Sequence, residues 1–139
     1  MQDSKPILLV EDDHIDAMTV KRLLRDLKVA NPLVHLTNGE EALKYLRTDN
    51  NEKPCVIFLD LNMPKINGIE FLKVAKAEYL LKKVPVVMLT TSKEDQVVVE
   101  SFKFGIGGYI VKPIDYEKFV EAIGVIGLDW TLNKLASSG

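Results

Sequence analysis

A short apolar run that stops at polar residues constrains this chain more than any other stretch. Residues 56–59 read Val-Ile-Phe-Leu, and the continuation is Asp-Leu-Asn-Met-Pro. Four consecutive apolar residues are typical of a strand that is buried on both faces, as in a parallel sheet. Asp60 is therefore predicted at the carboxyl end of a central strand, which is the edge where open α/β sheets bind ligands. A helix N-cap is the alternative role for an aspartate at this position.

Four further strand-like segments alternate with helical patterns along the chain. Strands are predicted at about 7–10, 34–37, 56–59, 84–89 and 109–111, and helices at about 15–27, 41–47, 69–75, 93–104 and 115–126. Alternating strands and helices predict a parallel sheet with helices on both faces and right-handed crossovers.

Two of the predicted helices carry more specific expectations. The first helix should begin after Asp13, whose carboxylate is a suitable N-cap. Its buried face is expected to carry Ile15, Met18, Leu23, Leu24 and Leu27. In the last helix, Gly124 and Gly127 each cost roughly 1 kcal/mol relative to Ala, so a kink or fraying is expected there.

The composition favours one soluble domain and excludes several classes of function. The chain has 139 residues, of which 47% are hydrophobic, and its net charge is −2. This charge lacks the basic excess that is usual in nucleic-acid binding, so no DNA partner is expected. Cys55 is the only cysteine, which excludes an intrachain disulfide and suggests a small core residue. Without a membrane-spanning run or a signal-peptide pattern, the chain is predicted to be cytoplasmic and to have no membrane partner.

Polar residues follow four of the five predicted strands. They are Glu11, Asp12 and Asp13 after the first strand, Asp60 and Asn62 after the third, Thr90 after the fourth and Lys112 after the fifth. Taken singly, the acids could cap a helix, Thr90 could be a turn residue and Lys112 a solvated lysine. Taken together, they predict a Mg²⁺ site with room for a phosphate-sized group, because hard cations prefer oxygen ligands. Crowded carboxylates also oppose each other's ionisation unless a cation is present.

The same residues indicate phosphoryl transfer. An aspartate carboxylate can act as a nucleophile and form an aspartyl phosphate, which is the role predicted for Asp60. Phosphoryl transfer requires mainly positioning and charge neutralisation. Mg²⁺ and Lys112 would supply the positive charge, and the Thr90 hydroxyl would donate to a phosphoryl oxygen.

Four segments together resemble a known family. Their order and spacing resemble those of a response regulator receiver domain of two-component systems. The segments are LLVEDD with its acidic pair, FLDLNMP with the acceptor, VVMLTTS with the hydroxyl, and YIVKP with the lysine and proline. The resemblance covers about residues 6–124. It implies a CheY-like, flavodoxin-like (βα)5 fold, doubly wound around a five-stranded parallel sheet of order 2-1-3-4-5. A single receiver domain is thus expected over 1–139, with a C-terminal helical extension at about 125–139.

The resemblance also implies a phosphorylation and metal site. Asp60 would be the phosphorylated residue and would also ligate Mg²⁺, with Mn²⁺ as a possible substitute. Asp12 would bind the metal directly, Glu11 through a metal-bound water and Asn62 through its backbone carbonyl. Glu11 stands where the family more often has aspartate, which lengthens one ligand arm but keeps the charge.

Four further roles near the fourth and fifth strands follow from the resemblance. Thr90 and Lys112 would contact the phosphoryl group, and the bond between Lys112 and Pro113 would be cis. The switch aromatic of the family falls on Tyr109, whose ring would turn inward when Thr90 moves toward the phosphoryl group. A half-buried tyrosine that simply packs on its strand is the alternative.

The function implied is that of a single-domain response regulator. It would accept a phosphoryl group from a histidine kinase or phosphotransfer protein and signal by a change of its surface. Beyond self-phosphorylation and autodephosphorylation, no enzymatic activity is expected. The alternative is a phosphatase of the haloacid dehalogenase type, which also uses an Asp nucleophile and Mg²⁺. That family needs a second Asp at the position of Asn62, and its nucleophile usually follows the first strand. Neither His14 nor His35 is expected to take part in the chemistry.

Apolar residues near the C-terminus exceed the needs of a minimal receiver. They are Leu128, Trp130, Leu132 and Leu135. Large aromatic residues are enriched at protein interfaces, so this tail and the last two helices are predicted to form a partner or homodimer patch. Alternatively, Trp130 folds back on its own domain. The extension resembles, more loosely, stand-alone regulators that partner phytochrome-type histidine kinases.

Overall fold

The computed structural model contains five strands and four helices among the residues that it describes. It describes residues 5–61, 63, 66–82, 84–91 and 106–126. The strands are β1 (Ile7–Val10), β2 (Leu33–Leu36), β3 (Val56–Asp60), β4 (Val86–Thr90) and β5 (Gly108–Val111). The helices are α1 (His14–Asp26), α2 (Gly39–Arg47), α3 (Gly68–Ala77) and α4 (Tyr116–Ile126). The helix predicted at 93–104 and the C-terminal extension from residue 127 onward lie outside the described residues.

The five strands form one parallel sheet in the order β2-β1-β3-β4-β5. This confirms the predicted fold and strand order. β3 lies at the centre, with β1 and β4 as its neighbours. The register pairs Val10 with Leu59 and Asp60 with Leu89, so the carboxyl ends of the three strands lie at the same level. The residues that follow these strands therefore meet at one edge of the sheet.

Alternate residues of the central strands pack into two separate hydrophobic layers. Ile7, Leu9 and Phe58 belong to the layer covered by α1 and α4. Leu8 and Ile57 belong to the opposite layer, which α2 and α3 cover. Successive side chains of a strand point to opposite faces, so a strand that contributes to both layers must be apolar throughout. This explains why the central strands read as uninterrupted apolar runs.

Side chains cap the helices that begin near the carboxyl edge of the sheet. The Asp13 carboxylate accepts a hydrogen bond from the Asp16 amide, with 3.0 Å between the two atoms, so the predicted N-cap of α1 is confirmed. At α3, the Asn67 side chain accepts from the Glu70 amide and the Glu70 side chain accepts from the Asn67 amide. Such reciprocal caps satisfy backbone donors that have no partner inside the helix.

The predicted buried face of α1 is partly wrong. Ile15 is 74% exposed and Met18 is 55% exposed. The residues that α1 buries are Ala17, Val20, Leu23 and Leu24. At roughly 100° of rotation per residue, Ile15 and Met18 lie on the side of the helix opposite to these four. The pattern of apolar residues had suggested a broader buried face than the structure shows.

The last helix continues through Gly124 to Ile126, whereas Gly127 lies outside the described residues. Within the part of the chain that the structure describes, no helix has both the length and the apolar character that a membrane crossing requires.

Candidate functional site

Polar side chains from several strands are buried at the carboxyl edge of the sheet. Glu11 directly follows β1, Asp60 ends β3 and Thr90 ends β4. Their exposed fractions are 0%, 2% and 1%, respectively. Buried polar side chains are costly unless they have partners, so three of them at one edge indicate a functional site rather than a random surface.

Three carboxylates come together at this edge. Glu11, Asp12 and Asp60 each offer an oxygen atom, and these atoms lie within 4.8 Å of one another. Glu11 and Asp60 are buried, whereas Asp12 is exposed, so the cluster is reachable from solvent. An all-oxygen ligand set of this kind fits a hard divalent cation.

Glu11 is held by its neighbours but keeps one carboxylate oxygen without an aligned donor. Its Oε2 accepts a hydrogen bond from the Asp13 amide at 3.1 Å. Its backbone N–H donates to the Leu36 carbonyl at 2.9 Å, and its backbone carbonyl accepts from His35 Nε2 at 2.8 Å. Oε1, by contrast, is buried and has no hydrogen-bond donor among the described residues. Its charged neighbour is the Lys112 ammonium at 3.1 Å, and a bound cation or water molecule would supply the contact that is missing.

The pKa of Glu11 is raised from its ordinary value of 4.5 to about 8. Burial is the main cause, and the hydrogen bond and negative charge of Asp60 raise it further. The Asp13 amide and Lys112 act in the opposite direction without cancelling the effect. Ionisation of Glu11 is therefore less favourable here than in water when no cation is bound. Positive charge brought next to Glu11, such as a bound cation, would favour the ionised carboxylate and lower this pKa.

Lys112 extends its ammonium group into the acidic cluster. Its Nζ lies 3.1 Å from Glu11 Oε1 and 3.3 Å from Asp60 Oδ1. The contact with Glu11 is close but not aligned as a hydrogen bond, whereas Nζ donates to Asp60. The backbone N–H of Lys112 donates to the Thr90 carbonyl at 2.7 Å, which ties the end of β5 to the end of β4. The following peptide bond, Lys112–Pro113, is cis.

The ammonium of Lys112 stays charged in this environment. Burial acts to lower its pKa, but the hydrogen bond to Asp16 and the negative charges of Asp60 and Glu11 outweigh burial and raise it. The site therefore contains a permanent positive charge beside Asp60, where a transferred phosphoryl group would be located.

Two residues of this site were missed by the sequence reasoning. Asp16 Oδ2 lies 2.8 Å from Lys112 Nζ, which is shorter than either contact described above. An acid in the first turn after the N-cap could have indicated this position, since that turn adjoins the same sheet edge. His35 was not expected to take part in the chemistry, and its ring instead supports the end of β1 through the Glu11 carbonyl. No local pattern could have revealed that contact.

The loop between β3 and α3 approaches Asp60 closely because of a glycine. The Gly68 amide donates to the Leu61 carbonyl at 2.9 Å. A Cβ atom on Gly68 would lie 2.9 Å from both the Asp60 carbonyl oxygen and the Leu61 Cα. Only glycine allows the start of α3 to lie this close to the phosphoacceptor candidate.

The remaining predicted residues are placed as follows. Tyr109 lies on β5 with 44% of its surface exposed, so its ring is not inserted into the core. Asn62 lies outside the described residues. His14 is exposed. Cys55 is partly buried against the core, and burial raises the pKa of its thiol to about 11, which makes the thiol unreactive.

Comparisons with known proteins agree with this geometry. The chain matches the response regulator receiver domain family over residues 7–124. It is 33% identical over 130 residues to the response regulator Rcp1 of Synechocystis, which spans 91% of this chain and 88% of that protein.

Solved structures give the same result. The bacteriophytochrome response regulator RtBRR is 41% identical with a TM-score of 0.81, covering 91% of this chain and 80% of the other. The Mn²⁺-bound form of Rcp1 is 34% identical with a TM-score of 0.77, and the match covers 90% of this chain and 95% of the other. The phosphorylated cyanobacterial phytochrome response regulator RcpA is 34% identical with a TM-score of 0.73, and the match covers 88% of this chain and 89% of the other.

Proposed function

Because this chain belongs to the response regulator receiver domain family, we propose that Asp60 is the residue through which it acts as a signalling phosphoacceptor. The observation that carries this assignment is the contact of 3.3 Å between Lys112 Nζ and Asp60 Oδ1 inside a buried carboxylate cluster. A cation site and a fixed ammonium flank one nearly buried carboxylate, which is the arrangement that phosphoryl transfer requires.

The proposed reaction is a displacement at phosphorus. An Asp60 carboxylate oxygen attacks the phosphorus of a phosphohistidine on the partner protein, and a new O–P bond forms. The N–P bond breaks, and its electron pair returns to the imidazole nitrogen. Later attack by water on the same phosphorus releases inorganic phosphate and restores the Asp60 carboxylate. Such self-limited chemistry makes the chain a signalling protein, and we expect no turnover of an external substrate.

The other site residues neutralise and orient the phosphoryl group. Lys112 would contact one phosphoryl oxygen with its ammonium, and the Thr90 hydroxyl would donate to another. Tyr109 lies on β5 with its side chain partly exposed, and its ring would turn inward when Thr90 moves toward the phosphoryl group. These roles follow the family pattern and are supported by the positions of the residues along β4 and β5.

Mg²⁺ is the proposed physiological cation. Asp12 and Asp60 would ligate it directly and Glu11 through water, with the Asn62 carbonyl as a further ligand outside the described residues. When bound, Mg²⁺ supplies positive charge that offsets the phosphoryl oxygens. The buried Oε1 of Glu11 without an aligned donor supports a cation or its water at this position.

The phosphatase alternative receives less support. The family match and the similar proteins are response regulators. The residue two positions after Asp60 is an asparagine, and a phosphatase of that type needs a second aspartate there. The Asp60 carboxylate also follows the third strand and not the first.

Phosphorylation with a small donor tests the assignment of Asp60. The full chain, incubated with acetyl phosphate and Mg²⁺, should gain one acid-stable and base-labile phosphoryl group by intact mass. Asp60→Asn should gain none, whereas Asp26→Asn, an exposed acid on α1, should react like the parent chain. Full labelling of Asp60→Asn would show that another residue is the acceptor. Lys112→Ala should still bind Mg²⁺ but should switch poorly.

The proposed partner is a histidine kinase of the phytochrome type. Support comes from RtBRR and RcpA, which are named as bacteriophytochrome and cyanobacterial phytochrome response regulators. A cytoplasmic location, where such kinases present their phosphohistidine, belongs to this proposal. Phosphotransfer rates should be compared between purified phytochrome-type kinases and unrelated histidine kinases. Equal rates for both groups would contradict the specific pairing.

A homodimer is the proposed assembly, formed by the last two helices and the C-terminal extension of the single receiver domain. The apolar tail residues that motivate it, Trp130 among them, lie outside the described residues. Light scattering should be run on the full chain, on a chain ending at Gly127 and on Trp130→Ala, each with and without a phosphoryl mimic. A monomer in every case would contradict self-association and leave the tail to another partner or to its own domain.

A further inference from the structure

The ammonium of Lys112 is surrounded by carboxylates in the resting site. Its Nζ lies 2.8 Å from Asp16 Oδ2, 3.1 Å from Glu11 Oε1 and 3.3 Å from Asp60 Oδ1. A lysine ammonium carries three N–H donors, and three carboxylates surround this one. A phosphoryl oxygen that contacts Lys112 must therefore compete with these carboxylates.

Asp16 differs from the other two carboxylates in its relation to the cation. Glu11 and Asp60 belong to the cluster that could hold a metal ion, so a bound cation draws on their oxygens. Asp16 is not a member of that cluster among the described residues. Its contact with Lys112 is the shortest of the three and would persist after a cation binds.

Both partners of this ion pair are held by their backbones. The Asp16 amide donates to the Asp13 carboxylate in the first turn of α1. Lys112 is tied to the end of β4 through the Thr90 carbonyl. The exposed fractions of the two side chains are 23% and 11%, so solvent screens the pair only in part.

We propose that Asp16 is a positioning residue that holds Lys112 in the resting site and competes with the phosphoryl group for it. This inference rests on the proposed function of Asp60. When Asp60 carries a phosphoryl group, Lys112 Nζ exchanges the Asp16 carboxylate for a phosphoryl oxygen. The exchange replaces one ion pair by another and moves no proton. The affinity of the site for a phosphoryl group is therefore lower than it would be without Asp16.

Binding of beryllofluoride, a phosphoryl mimic, tests the competition without turnover. In this adduct the Asp60 carboxylate oxygen takes the fourth coordination position of beryllium trifluoride and displaces water. Calorimetric titration at saturating Mg²⁺ should show about two- to fivefold tighter binding to Asp16→Asn, the range expected for a partly exposed ion pair. Asp26→Asn removes the same charge from the far end of α1 and should bind like the parent chain.

The same change, Asp16→Asn, made in a chain that already carries Lys112→Ala separates competition for Lys112 from other effects of Asp16→Asn. In Lys112→Ala, the change Asp16→Asn should no longer tighten binding, because the ion pair is already absent. An equal gain in beryllofluoride affinity with and without Lys112→Ala would overturn the inference. Unchanged or weaker binding by Asp16→Asn alone would also overturn it. If thermal unfolding shows that Asp16→Asn is not folded, Asp16→Ser carries the same expectation. Failure of the parent chain to bind, or binding by Asp60→Asn, would instead overturn the proposed function.

Discussion

Glu11 and Asp60 present carboxylate oxygens within 4.8 Å of each other, although they are 0% and 2% exposed. They reach this arrangement from the ends of two paired strands, β1 and β3. Two acids so close together and so poorly solvated cannot both ionise without cost unless positive charge is added. Lys112 supplies one such charge, and a divalent cation would supply more.

The first prediction concerns stabilisation by Mg²⁺. Because the cation relieves repulsion in the native state only, the free energy of unfolding should rise by about 2.7 kcal/mol at a hundredfold excess over the dissociation constant. Melting temperatures should be measured in EDTA and in excess Mg²⁺. Without metal, Asp60→Asn should melt higher than the parent chain, and this difference should shrink with Mg²⁺. Identical metal-free melting temperatures would contradict repulsion in the cluster, and Asp26→Asn controls for the loss of a charge elsewhere.

The second prediction is a pH dependence that arises from Glu11. Its native pKa of about 8 is higher than its ordinary value of 4.5, so the native state holds a proton that the unfolded state has lost. The metal-free stability should therefore fall as the pH rises from about 5 to about 8 and then level off. Each unit of pKa difference corresponds to about 1.4 kcal/mol, which makes several kcal/mol the upper limit.

Urea unfolding in EDTA across this pH range measures the effect. Glu11→Gln cannot titrate and should show a flatter profile. Two other groups with shifted pKa values titrate outside this pH range. Arg47 lowers the pKa of Glu78, so Glu78 titrates below the range, and Cys55 titrates above it. A parent profile that matches the Glu11→Gln profile between pH 5 and 8 without metal would contradict a raised pKa of Glu11.

The third prediction tests the close approach of α3 to the end of β3. Gly68→Ala would place a Cβ atom 2.9 Å from the Asp60 carbonyl oxygen. The backbone must shift to relieve this contact, at a cost of about 1–3 kcal/mol, and phosphorylation by acetyl phosphate should slow because the Asp60 backbone moves. Gly124→Ala is the matched control, since nothing lies within 4 Å of its Cβ position. That change should stabilise α4 by up to about 1 kcal/mol.

The fourth prediction concerns the layer of the core that joins β3 to α4. The rings of Phe58 and Phe119 stack with their centroids 5.2 Å apart, and Phe119 is 0% exposed. Phe119→Ala should lower the free energy of unfolding by about 3–5 kcal/mol. The neighbouring change Val120→Ala, at a residue that is 39% exposed, should cost less than about 0.5 kcal/mol. Chemical denaturation measures the free energy of unfolding of both variants. Equal losses of this free energy would contradict the assigned packing.

The features of α1 differ in how well the local sequence predicts them. The N-cap at Asp13 was predictable because capping depends on neighbouring residues only. The exposure of Ile15 and Met18 was not, because their spacing with Leu23 and Leu24 allowed more than one apolar face. The sheet covers a narrower stripe than the apolar residues occupy. Which side of α1 meets the sheet is decided by packing, and no local pattern contains that information.

The order of the elements and the residues that gather at one edge could be predicted from the amino-acid sequence. Buried strands must be apolar along their whole length, and parallel strands end at the same edge, so Asp60, Lys112 and the acids after β1 could be assigned to one site. The raised pKa of Glu11 and the contact between Asp16 and Lys112, by contrast, follow from the tertiary structure alone. Both properties depend on distances and water exclusion between segments far apart in the chain, because charge interactions strengthen steeply when solvent is removed.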